Sequence, residues 1–136
     1  MLSFPKFISC VIELAEYISL NYSGKVVEIG IGHRFDVAVL LAKKGLRVIA
    51  VDNKQIKTPK EIEFYVDDVT KPKIEIYENA SLIYSIRPPP ELFAPIKTLA
   101  KKVRADCIIK PLYGDYPGGE LRNYKGLYFY LIRYQS

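Results

Sequence analysis

Two glycines separated by one residue interrupt an apolar segment near the start of the chain, in the pattern of a ligand-binding turn. A run of mainly β-branched residues, Val26 to Ile29, precedes Gly30 and Gly32, and apolar residues at helical spacing follow from Phe35 to Leu41. This order predicts a buried strand, a tight turn and a helix. Glycine accepts positive φ and, because it has no Cβ, lets a ligand approach the main chain. Amides at the start of the helix then favour a polar or anionic ligand.

An acidic residue follows at the distance that a nucleotide-binding unit requires. Gly45 ends the helix, a second apolar segment runs from Leu46 to Val51, and Asp52 stands at its tip. Asp52 comes 20 residues after Gly32, and an acid at about that distance in a βαβ unit reaches the ribose hydroxyls of the ligand. We therefore expect Asp52 to contact a ribose, and the alternative is that it caps the next segment.

Further polar side chains stand where the predicted strands end. In open parallel sheets the ligand binds at the carboxyl ends of the strands, so the candidates are Glu28 to His33, Asp52-Asn53, Asp67-Asp68 and Arg87 to Pro90. Asp67 and Asp68 suit either a contact on the adenine side of a nucleotide or an Asx turn. His33 is more typical of a helix start than of a catalytic base, because no neighbouring residue is placed to orient it.

The rest of the pattern predicts the elements that position these residues. Apolar residues at three- and four-residue intervals predict an N-terminal helix, which Ser3 caps and which ends between Asn21 and Gly24. The later elements are predicted as follows: a third strand at Glu61 to Val66, a short helix from Pro72 to Glu78, a fourth strand at Ser81 to Ile86, a helix from Glu91, a fifth strand at Asp106 to Leu112, a loop at 113–119 and a last strand at Leu127 to Tyr134. Strands that alternate with helices indicate a parallel sheet covered on both faces. The last strand has no crossover helix before it and is therefore expected to be antiparallel.

Length and composition indicate a single α/β domain, residues 1–136, with a leading helix (1–24), a βαβ core (25–112) and a loop with the terminal strand (113–136). The chain is 49% hydrophobic and 26% charged, which is ordinary for a globular protein. We see no apolar run near the roughly 20 residues that span a bilayer and no secretory signal pattern, so we expect a cytoplasmic protein without a membrane partner. Cys10 and Cys107 lie among apolar residues and are interpreted as buried reduced thiols, without the spacing of a metal site.

The charge and the C-terminal strand suggest two macromolecular partners. A net charge of +5 permits RNA or another phosphate-bearing partner, although a lysine-rich surface adapted to heat would carry a similar charge. The apolar and aromatic strand at Leu127 to Tyr134 could be an exposed edge that pairs with a second copy of the chain, giving a homodimer.

The segment Val27-Glu28-Ile29-Gly30-Ile31-Gly32 resembles the first motif of the Rossmann-like S-adenosylmethionine-dependent methyltransferases. Asp52, Asp67 or Asp68, and the segment Ser85 to Pro90 fall where later motifs of these enzymes fall. In its whole-chain pattern the sequence is similar to a small uncharacterised archaeal family of methyltransferase-like domains. The resemblance implies a three-layer Rossmann-like fold of the class I methyltransferase type, with a mostly parallel sheet and an antiparallel C-terminal strand.

The same resemblance implies S-adenosylmethionine as the cofactor and assigns residues to it. Glu28 would lie near the methionine end, the ribose would bind at Asp52, and the adenine would lie beside Asp67 or Asp68. The full set of implied cofactor-binding residues is Glu28, Gly30, Gly32, His33, Asp52, Asn53, Asp67 and Asp68.

Two departures from the methyltransferase pattern bear on the substrate. A third glycine would fall at Arg34, and Arg87 replaces the Asp or Asn that would hold a substrate amine. A guanidinium offers only hydrogen-bond donors, which suit a carboxylate or phosphate. We therefore expect Arg87, together with Tyr84, Pro88 and Pro89, to face an anionic acceptor, either RNA or a small molecule.

Three functional hypotheses follow. The first is an S-adenosylmethionine-binding methyltransferase, for which no general base is assigned. The second is a domain that binds NAD or FAD, although Glu28 lies near the path of a pyrophosphate and like charges repel. The third is a non-catalytic module that senses a nucleotide or binds a partner, which the missing third glycine and Arg87 keep open.

Overall fold

The computed structural model describes residues 6–112 and 114–135, with the main chain alone for residues 6–10. The predicted cap at Ser3 and the side chain of Cys10 lie outside this description. Seven strands in the described ranges form one sheet in the order β3-β2-β1-β4-β5-β7-β6. The strands are β1 (Lys25–Ile29), β2 (Arg47–Asp52), β3 (Glu63–Val66), β4 (Ala80–Ile86), β5 (Asp106–Lys110), β6 (Glu120–Tyr124) and β7 (Leu127–Ile132).

The direction of the strands confirms the predicted mixed sheet. Strands β1 to β5 pair in parallel, whereas β7 pairs antiparallel with both β5 and β6. Because β7 lies between β5 and β6, it is not an exposed edge, and the prediction that the last strand is an edge is corrected. The edge at this side of the sheet is β6.

Helices cover the two faces of the sheet. Helices α1 (Lys6–Asn21) and α2 (Asp36–Lys43) pack on one face, and α3 (Phe93–Val103) packs on the other. Successive strand residues point to opposite faces, so Val26 is buried with α1 and α2, whereas Val27 and Ile29 are buried with α3. This alternation directs the side chain of Glu28 towards α1 and α2.

The connection between β3 and β4 differs from the prediction. The predicted helix from Pro72 to Glu78 is a single 3₁₀ turn, Ile74–Ile76. Asp67 explains this compact form, because its carboxylate accepts hydrogen bonds from the Lys73 main chain and the Tyr77 hydroxyl. No described helix is both long enough and apolar enough to cross a bilayer.

Candidate ligand-binding site at the carboxyl ends of the strands

The loop after β1 has the backbone geometry that its glycines predict. Gly30 and Gly32 have φ values of 74° and 56°, a region that favours glycine. The Gly30 amide donates to the Val51 carbonyl at 2.8 Å, which ties the loop to β2. A Cβ added at Gly30 or Gly32 would meet no atom within 4 Å. The space over both glycines is therefore open to a ligand.

Asp52 reaches this loop from the end of β2. Its Oδ2 accepts a hydrogen bond from the Gly32 amide at 2.9 Å, and its Oδ1 accepts from the Lys54 amide at 3.2 Å. The carboxylate thus forms a local turn and also touches the glycine loop. A carboxylate has about four acceptor positions, so about two remain for ligand hydroxyls. Asn53 is exposed beside it.

The two acids after β3 are engaged in the turn that follows. Asp67 is 7% exposed and accepts from the Tyr77 hydroxyl at 2.7 Å. Asp68 is exposed and accepts from the Thr70 hydroxyl and amide, and these hydrogen bonds lower the pKa of its carboxyl. Asp68 thus forms an Asx turn, whereas Asp67 binds groups six and ten residues further along the chain.

A cavity of about 320 Å³ opens beside the glycine loop, at the carboxyl ends of β1, β4 and β5. Ligand pockets of this kind commonly measure about 300–1,000 Å³. Its walls are mostly apolar, and its polar lining groups are Glu28, His33, Arg34, Asp36, Arg87 and Lys110. The structure thus brings together Glu28, Gly30, Gly32, His33 and Arg87 among the predicted site residues. Asp52, Asn53, Asp67, Asp68, Tyr84, Pro88 and Pro89 are not part of its lining.

Glu28 is a buried carboxyl in the wall of this cavity. It is 3% exposed, and its Oε1 accepts a hydrogen bond from the Tyr84 hydroxyl at 2.8 Å. Burial raises the pKa of the Glu28 carboxyl to about 8, the Tyr84 hydrogen bond opposes that rise, and the charge of Asp36 adds to it. The surroundings of this carboxyl therefore disfavour its ionised form.

Tyr84 has a different position from the one predicted on the acceptor side. Its side chain has no exposed surface, because Tyr84 pairs with Glu28 in the register of β4 against β1 and points to the same covered face. Burial and the neighbouring Glu28 raise the pKa of its hydroxyl. Tyr84 therefore holds Glu28 in place and does not face an acceptor.

Two cationic side chains line the cavity at the ends of β4 and β5. Arg87 has a φ of 54°, and its amide donates to the Lys110 carbonyl at 2.6 Å, which places the two residues side by side. Within the described part of the chain, neither side chain forms an ion pair or hydrogen bond. A non-glycine residue held at positive φ is costly and often marks a functional position. Arg87 and Lys110 are therefore available to an anionic ligand.

The turn after β4 places the two remaining predicted substrate residues. Pro88 is buried, and Pro89 is exposed and leads into the 3₁₀ turn Pro90–Leu92, which precedes α3. His33 is exposed at the cavity, in the loop before α2. These prolines fix the chain after Arg87 but do not line the cavity.

Several lining residues were missed by the sequence reasoning. Lys110 ends β5 in the structure, two residues before the predicted end of that strand at Leu112, so the strand-end rule that identified Arg87 did not identify it. Val11 and Leu14 of α1 and Leu127 of β7 close the apolar wall. These contacts join distant parts of the chain, and no local pattern predicts them.

Comparisons of the sequence with known proteins show which proteins this chain is similar to. A model of the uncharacterised protein family UPF0146 matches residues 11–134. A UPF0146 protein of Archaeoglobus fulgidus is 57% identical over 125 residues, which cover 92% of this chain and 96% of the relative. The resemblance seen in the sequence to an uncharacterised archaeal family is thus confirmed.

Solved structures that are assigned as methyltransferases have the same fold as this chain. A protein from Plasmodium falciparum, assigned as a ribosomal RNA methyltransferase, superposes with a TM-score of 0.69 at 14% identity, over 96% of this chain and 97% of its own. A protein from Methanococcus maripaludis, assigned as an S-adenosylmethionine-dependent methyltransferase, gives a TM-score of 0.58 at 19% identity, over 80% of this chain and 58% of its own. These likenesses establish a Rossmann-like, methyltransferase-like fold.

Proposed function

This chain belongs to the uncharacterised protein family UPF0146, and we propose that it binds S-adenosylmethionine and transfers the methyl group to an anionic acceptor. The observation that carries the proposal is the open glycine loop, with Asp52 at one side and the buried carboxyl of Glu28 in the adjoining cavity. The fold of solved S-adenosylmethionine-dependent methyltransferases supports the same cofactor.

The residues present fit this cofactor. Gly30 and Gly32 leave room for the nucleoside to lie against the main chain. Asp52 keeps acceptor positions for ribose hydroxyls, and Glu28 offers a carboxyl to a cationic methionine end. Asp67 and Asp68 are already engaged, so in this proposal they shape the loop beside the adenine.

The cavity also fits an acceptor that carries a negative charge. Arg87 and Lys110 would bind its carboxylate or phosphate, because both are cations without a described partner. The bound cofactor would supply an electrophilic methyl group, and the protein would align the acceptor with it. Orientation of this kind can supply about 7 kcal/mol or more, and its source here is the pair of cations at one wall and the glycine loop at another.

RNA is an acceptor class that one observation favours. The Plasmodium falciparum protein, which matches this chain over nearly the whole length of both, is assigned as a ribosomal RNA methyltransferase. The net charge of +5 is compatible with RNA. A small acid remains the other acceptor class, and the assay below separates the two.

Calorimetric titration tests the cofactor. We expect S-adenosylmethionine and S-adenosylhomocysteine to bind, and NAD and ATP not to bind. Asp52→Ala should weaken binding by tenfold or more, because it removes the ribose acceptor, whereas the exposed Glu61→Ala should leave it unchanged. Binding of NAD but not of S-adenosylmethionine would instead support a dinucleotide-binding domain. An absence of binding for all four would support a module that binds a partner.

Methyl transfer from labelled S-adenosylmethionine, offered to RNA and to metabolite pools separately, tests the acceptor. An RNA acceptor requires labelled RNA and an affinity that falls steeply with salt. A small anionic acceptor requires label in the metabolite pool. In both cases Arg87→Ala should reduce transfer more than it reduces cofactor affinity, and no transfer to either pool would contradict the enzyme proposal.

The partner proposal for the C-terminal region is a homodimer through the β6–β7 hairpin. The edge strand β6 has unpaired main-chain groups on one side, and exposed apolar side chains at Leu121 and Tyr128 accompany it. Such edges pair readily with other strands. Sedimentation should show a dimer that Leu121→Lys weakens, and a monomer at high concentration would contradict the proposal.

A further inference from the structure

Glu28 is a buried carboxyl group in the wall of the cavity. Its carboxyl lies in β1 between β2 and β4, with apolar walls from α1 and α2 around it. The hydroxyl of Tyr84, itself without exposed surface, is its hydrogen-bond partner. Within the described residues, no lysine or arginine forms an ion pair with it.

The charged and titratable groups around Glu28 come from five elements. They are Tyr84 of β4, Asp36 of α2, His33 and Arg34 of the glycine loop, Arg87 after β4, and Lys110 of β5. The described residues that α1 adds to the cavity wall, Val11 and Leu14, are apolar. The negative charge of Asp36 opposes ionisation of Glu28 and so raises the pKa of its carboxyl.

We propose that Glu28 carries a proton in the ligand-free protein at neutral pH and releases it when the cationic methionine end of the cofactor enters the cavity. The inference rests on the proposed function, because that function supplies the cation. It adds that the site selects ligands by charge: a nucleoside with a cationic tail expels the proton, and one without such a tail leaves it in place.

The physical reason is the cost of a buried, unpaired charge. An ionised carboxylate in apolar surroundings is strongly disfavoured, so the group keeps its proton instead. Burial accordingly raises the pKa of Glu28 to about 8. An opposite charge within ~4–6 Å lowers the pKa of a carboxyl by about 1–3 units. A cation delivered by the ligand therefore reverses the preference.

The expected proton release follows from these values. With a pKa of about 8, about nine-tenths of the Glu28 side chains are protonated at pH 7. If ligand binding lowers this pKa by about 1–3 units, the protonated fraction of the Glu28 side chains at pH 7 falls to between about one half and about one hundredth. Binding should thus release about 0.4–0.9 proton per site at pH 7, and the affinity should rise with pH between about pH 6 and 8.

Tyr84 acts as a positioning residue through Glu28. Its hydroxyl donates to the carboxylate and so favours the ionised form, as the direction of its effect on the Glu28 pKa shows. Tyr84→Phe should therefore move the rise of affinity to higher pH. If Tyr84 had only a structural role, Tyr84→Phe would lower the affinity by the same factor at every pH.

Calorimetry in buffers of different ionisation enthalpy measures the proton release directly. The ligands are S-adenosylmethionine, which carries a sulfonium charge, and 5′-methylthioadenosine, a thioether that lacks both this charge and the amino-acid tail and serves as the neutral ligand. We expect S-adenosylmethionine to release about 0.4–0.9 proton more from the wild type than from Glu28→Gln, and 5′-methylthioadenosine to show no such difference. Equal release from the two proteins would overturn the inference.

A titration of the ligand-free protein separates this inference from the proposed function. The carboxyl resonance of Glu28, assigned by its absence in Glu28→Gln, is followed by NMR from pH 4 to 10. A midpoint above pH 7 supports the inference, and a midpoint at pH 7 or below overturns it. Absence of any S-adenosylmethionine binding would overturn the proposed function, whereas binding without the Glu28-dependent proton release overturns this inference alone.

Discussion

The proposed protonation of Glu28 predicts that the contribution of this residue to folding stability falls as the pH rises. The pKa of this carboxyl increases from an ordinary value of 4.5 to about 8 in the folded protein. Below pH 4.5 both the folded and the unfolded chain hold the proton. Between these values the unfolded chain has lost it and the folded chain keeps it, so the free energy of unfolding declines with pH. Above about pH 8 both states are ionised and the loss is complete.

The size of this effect follows from the same two values. A difference of about 3.5 pKa units, at about 1.4 kcal/mol for each unit, corresponds to about 5 kcal/mol. Glu28→Gln removes the titration and keeps a side-chain oxygen that accepts the Tyr84 hydrogen bond. The substitution also changes the free energy of unfolding directly, because a buried amide needs new hydrogen-bond partners, but this change does not depend on pH. The informative quantity is therefore the pH dependence of the difference between the two proteins.

Chemical denaturation of the ligand-free proteins between pH 5 and 8 measures that difference. The stability of Glu28→Gln relative to the wild type should increase by several kcal/mol across this range. Glu63→Gln is a matched control, because the hydrogen bond from Arg47 lowers the pKa of Glu63, and stability that depends on Glu63 is lost only at acidic pH. The free energy of unfolding of Glu63→Gln should therefore change with pH in the same way as that of the wild type between pH 5 and 8. A change below about 1 kcal/mol for Glu28→Gln would show that the buried carboxyl is ionised and would refute the reasoning.

Two further predictions concern the turns that support the site and the sheet. Tyr77→Phe removes the hydroxyl that donates to Asp67 and should lower the free energy of unfolding, measured by chemical denaturation, by about 1–3 kcal/mol; an unchanged free energy of unfolding would contradict this prediction. Gly119→Ala should destabilise the protein more than Gly126→Ala, because a Cβ at Gly119 would lie 2.7 Å from the Leu131 carbonyl oxygen, whereas one at Gly126 meets no atom within 4 Å. Thermal denaturation of the pair checks this, and equal losses would contradict it.

The sequence predicted well those features whose conformation depends on residues close to them in the chain. Gly30 and Gly32 are in the positive-φ turn that their pattern indicated, and Asp52 touches the Gly32 amide. These residues are linked by a strand, a turn and a helix of ordinary length. A βαβ unit of this kind leaves little freedom in where its second strand ends.

The same approach failed where the direction of a side chain depends on pairing between distant strands. Tyr84 looked like an acceptor-side residue because it stands near the end of β4. Its hydroxyl instead reaches Glu28, 56 residues away in the chain, since the register of β1 against β4 places both residues on the same face. A shift of one residue would have turned Tyr84 to the other face.

The sequence by itself determined the order of the five parallel strands and the three α-helices, together with the glycine turn and its acid. These follow from residue periodicity and from the φ values that glycine accepts. The tertiary structure alone decided that Glu28 is buried against the Tyr84 hydroxyl and that Arg87 lies beside Lys110. Burial and charge pairing depend on which distant segments surround a group, and the packing of the whole chain sets that arrangement.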